Sequence, residues 1–265
     1  MIPYFQLPAL HLGPVNVQSF GIFAVVGIYV ASRLIGRTAS QSGLDDRPLM
    51  DFVTWGVVAG VVSAHLVHLF LYHPEELRSG GLLQVLKVWD GLSSMGGLLG
   101  GALAAVVFFR VRGLQFAPYA DSFALGIAPG WAIARLGCFS VHDHSGVLTS
   151  FFLAVRFPDG ARHDLGLYDA LVLFALTWLL YSLARRKLLA GRLLAVLALG
   201  YGTARFGLDF LRATDVAYAD ARYLGLTPAQ YASVLLVVYG AVQVARRRSE
   251  RRTGVEQDEP AAGSV

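Results

Sequence analysis

Residues 119–140 read YADSFALGIAPGWAIARLGCFS, and that stretch decides the solvent in which this chain folds. It is about as long as the ~20 residues a helix needs to cross ~30 Å of hydrocarbon. Asp121, Pro129 and Arg135 sit among its apolar residues, so it is polar for a span and predicted to bend at the proline. A simple anchor has no use for such groups. With the span placed at 118–139, the same ruler marks 17–36, 51–72, 93–111, 167–184, 193–211 and 228–245. The predicted fold class is all-α: a polytopic integral membrane protein with about seven transmembrane helices.

Composition agrees. Of 265 residues, 55% are hydrophobic and 15% charged, against about 25% charged in a typical soluble domain. Mean hydropathy is +0.54. The stretch 93–111 is rich in glycine, which lets neighbouring helix backbones approach closely. A net charge of +4 would suit a nucleic-acid partner, but the cations cluster in short loops and at the C-terminus, which argues against one. Arg33, Arg37 and Arg47, then Arg110 and Arg112, then Arg185, Arg186, Lys187 and Arg192, then Arg246 to Arg248 with Arg251 and Arg252, fall on one side if every span crosses. That side is expected to be cytoplasmic, with the N-terminus outside and the C-terminus inside. The N-terminus has no basic n-region or small-residue cleavage site, so no cleaved signal peptide is expected. Residues 1–248 read as one transmembrane domain, and 249–265 as a disordered tail. Cys138, the one cysteine, excludes an intramolecular disulfide.

Four groups lie in the wrong solvent: His65, Arg135, Arg205 and Asp209. A charge at mid-bilayer costs roughly 2.5–3.5 kcal/mol on insertion scales, and arginine stays protonated. Arg205 and Asp209 are spaced i,i+4, and Asp209 and Arg212 i,i+3, so one helix face holds all three. Two readings fit this ladder. It is either a structural ion-pair network or a site where arginines bind an anion, a phospholipid head group being the natural one in a membrane. Guanidinium suits phosphate because its planar fork donates two parallel hydrogen bonds. Counting one aspartate against three arginines favours the anion site.

At the end of the 118–139 span lies Cys138-Phe-Ser-Val-His142-Asp143-His144-Ser-Gly146. Residues at i and i+2 do not face one another on a helix, and no H-E-x-x-H spacing occurs, so no metal or other cofactor is expected. The imidazoles are candidates for moving a proton near neutral pH, or for capping the loop. His65 and His68 read equally well as helix-packing residues.

The stretch Ala134-Arg135-Leu136-Gly137-Cys138-Phe139, followed by Asp143 and Gly146, resembles the G-R-x-G-N-F signature of bacterial prolipoprotein diacylglyceryl transferases. Three further elements match in order. Trp89-Asp90-Gly91 with Met95-Gly96-Gly97 resembles W-[DE]-G…H-G-G. Leu167-Tyr168-Asp169-Ala170 resembles the L-Y-E element. Tyr201-Gly202 through Arg205, Asp209 and Arg212 resembles Y-G-x-x-R-x-x-x-E-F-x-R. The resemblance implies transfer of the diacylglyceryl group of phosphatidylglycerol to the lipobox cysteine of a prolipoprotein, in the bacterial inner membrane with the active site toward the outer leaflet. It implies a substrate site of Arg135, Arg205, Asp143, Gly137, Gly96, Gly97, Tyr168, Asp209 and Arg212. Arg135 and Arg205 would hold the departing phosphate, Asp209 and Arg212 would orient them, and Asp143 would hold Arg135 or the lipid head group. Met95 stands where the family carries a histidine, Cys138 stands for Asn, and three aspartates stand for Glu. His142 or His144 is therefore expected to supply the missing imidazole. A lipid or anion transporter, and an inactive lipid-binding paralogue, are the competing expectations.

Overall fold

The structure, a computed structural model, describes residues 1–257 except 9, 13–14, 73–76, 79, 88–90, 217–218 and 221. Trp89 and Asp90 of the W-D-G element lie outside the described residues, as do 258–265 of the expected tail. Seven long helices run through the rest: α1 (Ser19–Gln41), α2 (Arg47–Val67), α3 (Ser94–Val111), α4 (Ala120–Val141), α5 (Leu165–Arg185), α6 (Leu193–Leu208) and α7 (Pro228–Gln257). Among the described residues six helices are long and apolar enough to cross a membrane; the apolar part of α3, Leu99–Val111, is shorter. The chain is thus a polytopic helical membrane protein. Where the tail was expected to begin, α7 continues through 249–257.

Local chemistry sets the helix starts. Proline occupies the first turn of α2, where its missing N–H costs nothing. Ser93 caps α3 by accepting from Gly96 N, and Asp164 caps α5 by accepting from Leu167 N at 3.0 Å. At α7, Thr227 Oγ1 accepts from Gln230 N while Gln230 Oε1 accepts from Thr227 N, a reciprocal capping box.

Contacts divide the chain into two compact units. In the unit of 32–122, α2 and α3 touch through small residues. A Cβ on Gly96 would lie 2.6 Å from Ser63 O, and one on Gly100 2.8 Å from Ala59 O. His65, almost fully buried, lies between two backbone carbonyls: its Nδ1 is 3.1 Å from Gly91 O and its Nε2 2.9 Å from Gln84 O. It is a packing histidine that holds the approach to α3.

The unit of 1–31 and 123–265 carries the buried arginines and aspartates. Ala124, Ala128 and Ala132 make a narrow stripe on α4, against which Leu173 and Leu180 of α5 and Leu193, Leu197 and Tyr201 of α6 pack. Gly27 of α1 and Gly130 of α4 face each other so closely that a Cβ on either would strike the other's carbonyl. Between α4 and α5 the chain forms a small sheet, a local departure from the all-helical expectation. Strands β4 (Ser145–Leu148), β5 (Val155–Phe157) and β6 (Gly160–Asp164) pair antiparallel, and the N-terminal β1 (Ile2–Pro3) joins β5 in parallel. Strands β2 (Leu10–Leu12) and β3 (Val15–Val17) form a separate antiparallel pair.

Candidate active site

Three helices meet at one carboxylate oxygen. Arg205 Nη1 of α6 donates to Asp169 Oδ2 of α5 at 2.8 Å, and Arg135 Nε of α4 lies 3.4 Å from the same oxygen. The Asp169 side chain is wholly buried, and those of Arg205 and Arg135 are 8% and 12% exposed. Arg205 Nη2 also pairs with Asp209 Oδ1 at 3.0 Å, the i,i+4 contact expected from the spacing. Asp209 Oδ2 in turn accepts a short hydrogen bond from Thr227 Oγ1 at the start of α7. Arg205 thus has a hydrogen bond to Asp169 and an ion pair with Asp209, whose Oδ1 makes no hydrogen bond of proper geometry among the described residues. Arg135 likewise has an Nε that makes none among them. Its Nη1 donates to Cys138 Sγ at 3.6 Å and lies 3.4 Å from His144 Nε2, the second a long contact.

This geometry corrects the charge count. Two buried aspartates, not one, face Arg135 and Arg205, because Asp169 reaches them from a different helix. The third arginine leaves the ladder. After Leu208 the helix tightens into a 3₁₀ turn (Asp209–Leu211) and Arg212 is extended, so the α-helical i,i+3 geometry with Asp209 is lost. Arg212 pairs instead with Asp220 at 2.8 Å. Asp143 likewise holds His144 rather than Arg135.

The turn after α4 sends three consecutive residues in different directions. His142 adopts a left-handed backbone, φ +54°, and its ring is buried among Tyr4, Phe5, Phe139 and Phe157 with centroids 5.0–5.3 Å away. Its Nδ1 lies 2.6 Å from Asp164 Oδ2. His144 instead points at Arg135, and Asp143 accepts a short hydrogen bond from its Nδ1. A proton on Nδ1 leaves Nε2 as an acceptor, facing the guanidinium. Cys138 Sγ, His144 and Asp143 carry potential ligand atoms within 4.8 Å of one another. The guanidinium of Arg135 lies against two of them, and its fixed positive charge opposes a metal cation there.

The sheet frames this cluster. Tyr168 OH lies 2.9 Å from His163 Nδ1, and both line an apolar pocket of about 380 Å³ with Phe151, Leu208 and Leu211. Burial lowers the pKa of His163. Arg162 bridges Asp215 and Asp159 at 2.7 Å each and donates to Gly146 O at 3.2 Å. Its hydrogen bonds hold both carboxylates below their usual pKa, and they raise its own. Gly146 is closely packed, a Cβ there falling 2.6 Å from Leu211 O; a Cβ on Gly137 would fall 2.8 Å from Phe23 Cβ of α1. Gly96 and Gly97 belong to the other unit, where Gly96 packs on α2.

Sequence reasoning left Asp169, Asp164, Thr227 and Arg162 out of the site. Asp169 had a readable signal, as an acid inside a span next to Tyr168. The other three also make contacts between distant segments: Asp164 with His142, Thr227 with Asp209 and Arg162 with Asp215.

Long apolar helices enclosing two arginines that share a buried carboxylate define a polytopic membrane protein with a charged centre. The chain belongs to the prolipoprotein diacylglyceryl transferase family, whose sequence pattern matches residues 8–246. It is 33% identical to the phosphatidylglycerol–prolipoprotein diacylglyceryl transferase of Solidesulfovibrio magneticus over 264 residues, 94% of this chain and 97% of that protein. It is 31% identical to the protein of the same name in Geobacillus kaustophilus (94% and 96% covered) and 30% identical to that of Pseudoalteromonas atlantica (98% of each).

Proposed function

We propose that the chain transfers the diacylglyceryl group of phosphatidylglycerol to the lipobox cysteine thiol of a prolipoprotein. One observation carries the reading: Arg135, buried beside Arg205, has an Nε that makes no hydrogen bond of proper geometry among the described residues and lies 3.4 Å from Asp169 Oδ2. A phosphate diester arriving there supplies the missing acceptors, and its two free oxygens match the guanidinium fork. In the reaction the thiolate sulfur attacks the glycerol carbon bonded to the phosphate oxygen. A C–S bond forms, the C–O bond breaks, and glycerol phosphate leaves with the electron pair. The arginines stabilise the charge that grows on the leaving group. Asp209 orients Arg205, Asp169 holds both arginines, and Arg212 supports the loop through Asp220.

The thiolate is the nucleophile, so a base must take the thiol proton. His144 suits that role better than His142, because its Nε2 faces Arg135 with Asp143 on the opposite nitrogen, whereas the His142 ring is enclosed by aromatic rings. Gly137 and Tyr168 shape the site in this reading. Residues 1–248 act as one catalytic domain of seven spans in the bacterial inner membrane. The N-terminus is outside, the C-terminus cytoplasmic, and the site opens toward the outer leaflet.

Purified protein incubated with phosphatidylglycerol and a lipobox peptide is expected to yield a peptide heavier by one diacylglyceryl group. His144→Gln is expected to lower that yield by about 10²–10⁴-fold, the usual worth of a positioned base. Lipid moved across vesicles with no modified peptide would make the chain a carrier instead. Full activity of His144→Gln would remove His144 as the base.

A further inference from the structure

Asp164 ends β6 and begins α5. It is fully buried, and its two carboxylate oxygens serve different partners. Oδ1 accepts from Leu167 N at 3.0 Å. Oδ2 accepts from His142 Nδ1 at 2.6 Å.

We infer that Asp164 is a positioning residue for the transfer reaction, with one carboxylate holding both arms of the site in register. The inference rests on the transfer function proposed above. The first arm is α5. The opening N–H groups of a helix lack partners within it and the first turn frays without a cap. Asp169, whose Oδ2 receives both arginines, follows within the second turn from this cap. Fraying at Leu165–Leu167 would displace the carboxylate on which Arg135 and Arg205 converge.

The second arm is the 142–144 turn. His142 holds a left-handed backbone that non-glycine residues avoid, so something must fix it there. Its ring has one hydrogen bond among the described residues, the one to Asp164; its Nε2 has none. Phe5, Phe139 and Phe157 around it carry no acceptor for Nδ1, and an unpaired buried N–H is costly. Backbone contacts run alongside, with Leu165 N donating to His144 O at 3.0 Å and Ser145 pairing with Asp164. These hold His144 and β4 against β6, while the His142 ring is fixed by the side-chain link. Asp143 and His144 follow His142 directly, so the position of the His144 ring beside Arg135 depends on that link.

A bare cap does not need an aspartate, because serine and asparagine serve equally well. What the carboxylate adds is a charge-assisted acceptor for the imidazole N–H. Asp164→Ser therefore keeps the cap and removes the link, and His142→Gln removes the link from the other end. Kinetics are measured on the full-length purified chain with phosphatidylglycerol and a lipobox peptide, alongside its melting temperature in detergent.

Asp164→Ser is expected to lower kcat by about 10²-fold, the effect of roughly 1 Å of misplacement at a reacting group, with KM for the lipid little changed. His142→Gln should match it, and the double variant should lose no more than either single one, because both cut the same link. Asp164→Ala, which also loses the cap, should raise KM for the lipid as well. If Asp164→Ser misfolds, the inference stands or falls on Asp164→Asn, which keeps the cap acceptor and is expected to show the same kcat loss. Unchanged kcat in Asp164→Ser or Asp164→Asn, or losses that multiply in the double variant, would overturn the inference while leaving the transfer function intact. No product from the unaltered chain would overturn the function itself, and the role of Asp164 with it.

Discussion

Arg205 reaches across from α6 to donate to Asp169 Oδ2 of α5 at 2.8 Å, and Asp169 is fully buried. With Arg135 at 3.4 Å from the same oxygen, this one carboxylate offsets charge arriving from two directions. Removing one partner of a buried ion pair typically costs about 3–5 kcal/mol, because the other charge is left unpaired. Asp169→Ala is expected to destabilise the protein by that order in denaturant titration in detergent micelles. Stability within 1 kcal/mol, roughly the worth of an exposed pair, would mean the arginines do not depend on it.

The two arginines should separate on replacement by lysine. Lysine keeps the charge and loses the planar fork. Arg205 spans Asp169 and Asp209 with different nitrogens, and a single ammonium cannot reach both. Arg205→Lys is therefore expected to lower the melting temperature more than Arg135→Lys. Arg135→Lys should fold normally and lose about 10²–10³-fold in transfer rate, as when one donor to a developing oxyanion is removed. The reverse order of stabilities would show that Arg135, not Arg205, holds the helices together.

How far the site could be read beforehand follows from chain distance. The helices were legible because each is a continuous apolar run of nearly membrane-spanning length, and Arg205–Asp209 because i,i+4 neighbours share a helix face whatever surrounds them. Asp169 carries a local signal as an acid inside a span, but its partners come from α4 and α6, a tertiary fact with no local spacing to announce it. Arg212 was misplaced because the helix tightens at Asp209–Leu211, which depends on the packing of Asp209 against Thr227. His142 and His144 look equivalent in H-D-H. Only the left-handed backbone at His142 sends one ring into an aromatic box and the other toward Arg135. The strands of 145–164 are three to five residues long, too short for alternation to stand out.

Acid should loosen the sheet before it affects the helices. Arg162 holds Asp159 and Asp215 below the usual carboxylate pKa, so each binds protons more readily unfolded than folded. Their contribution is fully present above the ordinary carboxylate range and is lost as pH falls through their lowered values. His163, lowered by burial, acts in the same direction from the ordinary histidine range downward. Proteolysis of the 145–164 segment is expected to accelerate as pH falls from neutral, first through the histidine and then through the carboxylates. Arg162→Gln should remove the carboxylate part of that dependence. An unchanged profile in Arg162→Gln would show that the ion pairs contribute nothing to local stability.

Two helix glycines should respond oppositely to alanine. On α4, a Cβ at Gly137 would lie 2.8 Å from Phe23 Cβ and 3.2 Å from Phe20 O, so backbone as well as side chain would have to give way. Overpacking of this kind costs about 1–3 kcal/mol. The strain falls two residues from Arg135, so the clamp should shift with it. On α3, a Cβ at Gly101 meets nothing within 4 Å, and alanine there gains about 0.5–1 kcal/mol of helix propensity. Gly137→Ala is expected to lower both melting temperature and transfer rate, and Gly101→Ala to raise the first without changing the second. If Gly137→Ala melts normally yet loses transfer, the glycine serves the substrate directly rather than the contact between α1 and α4.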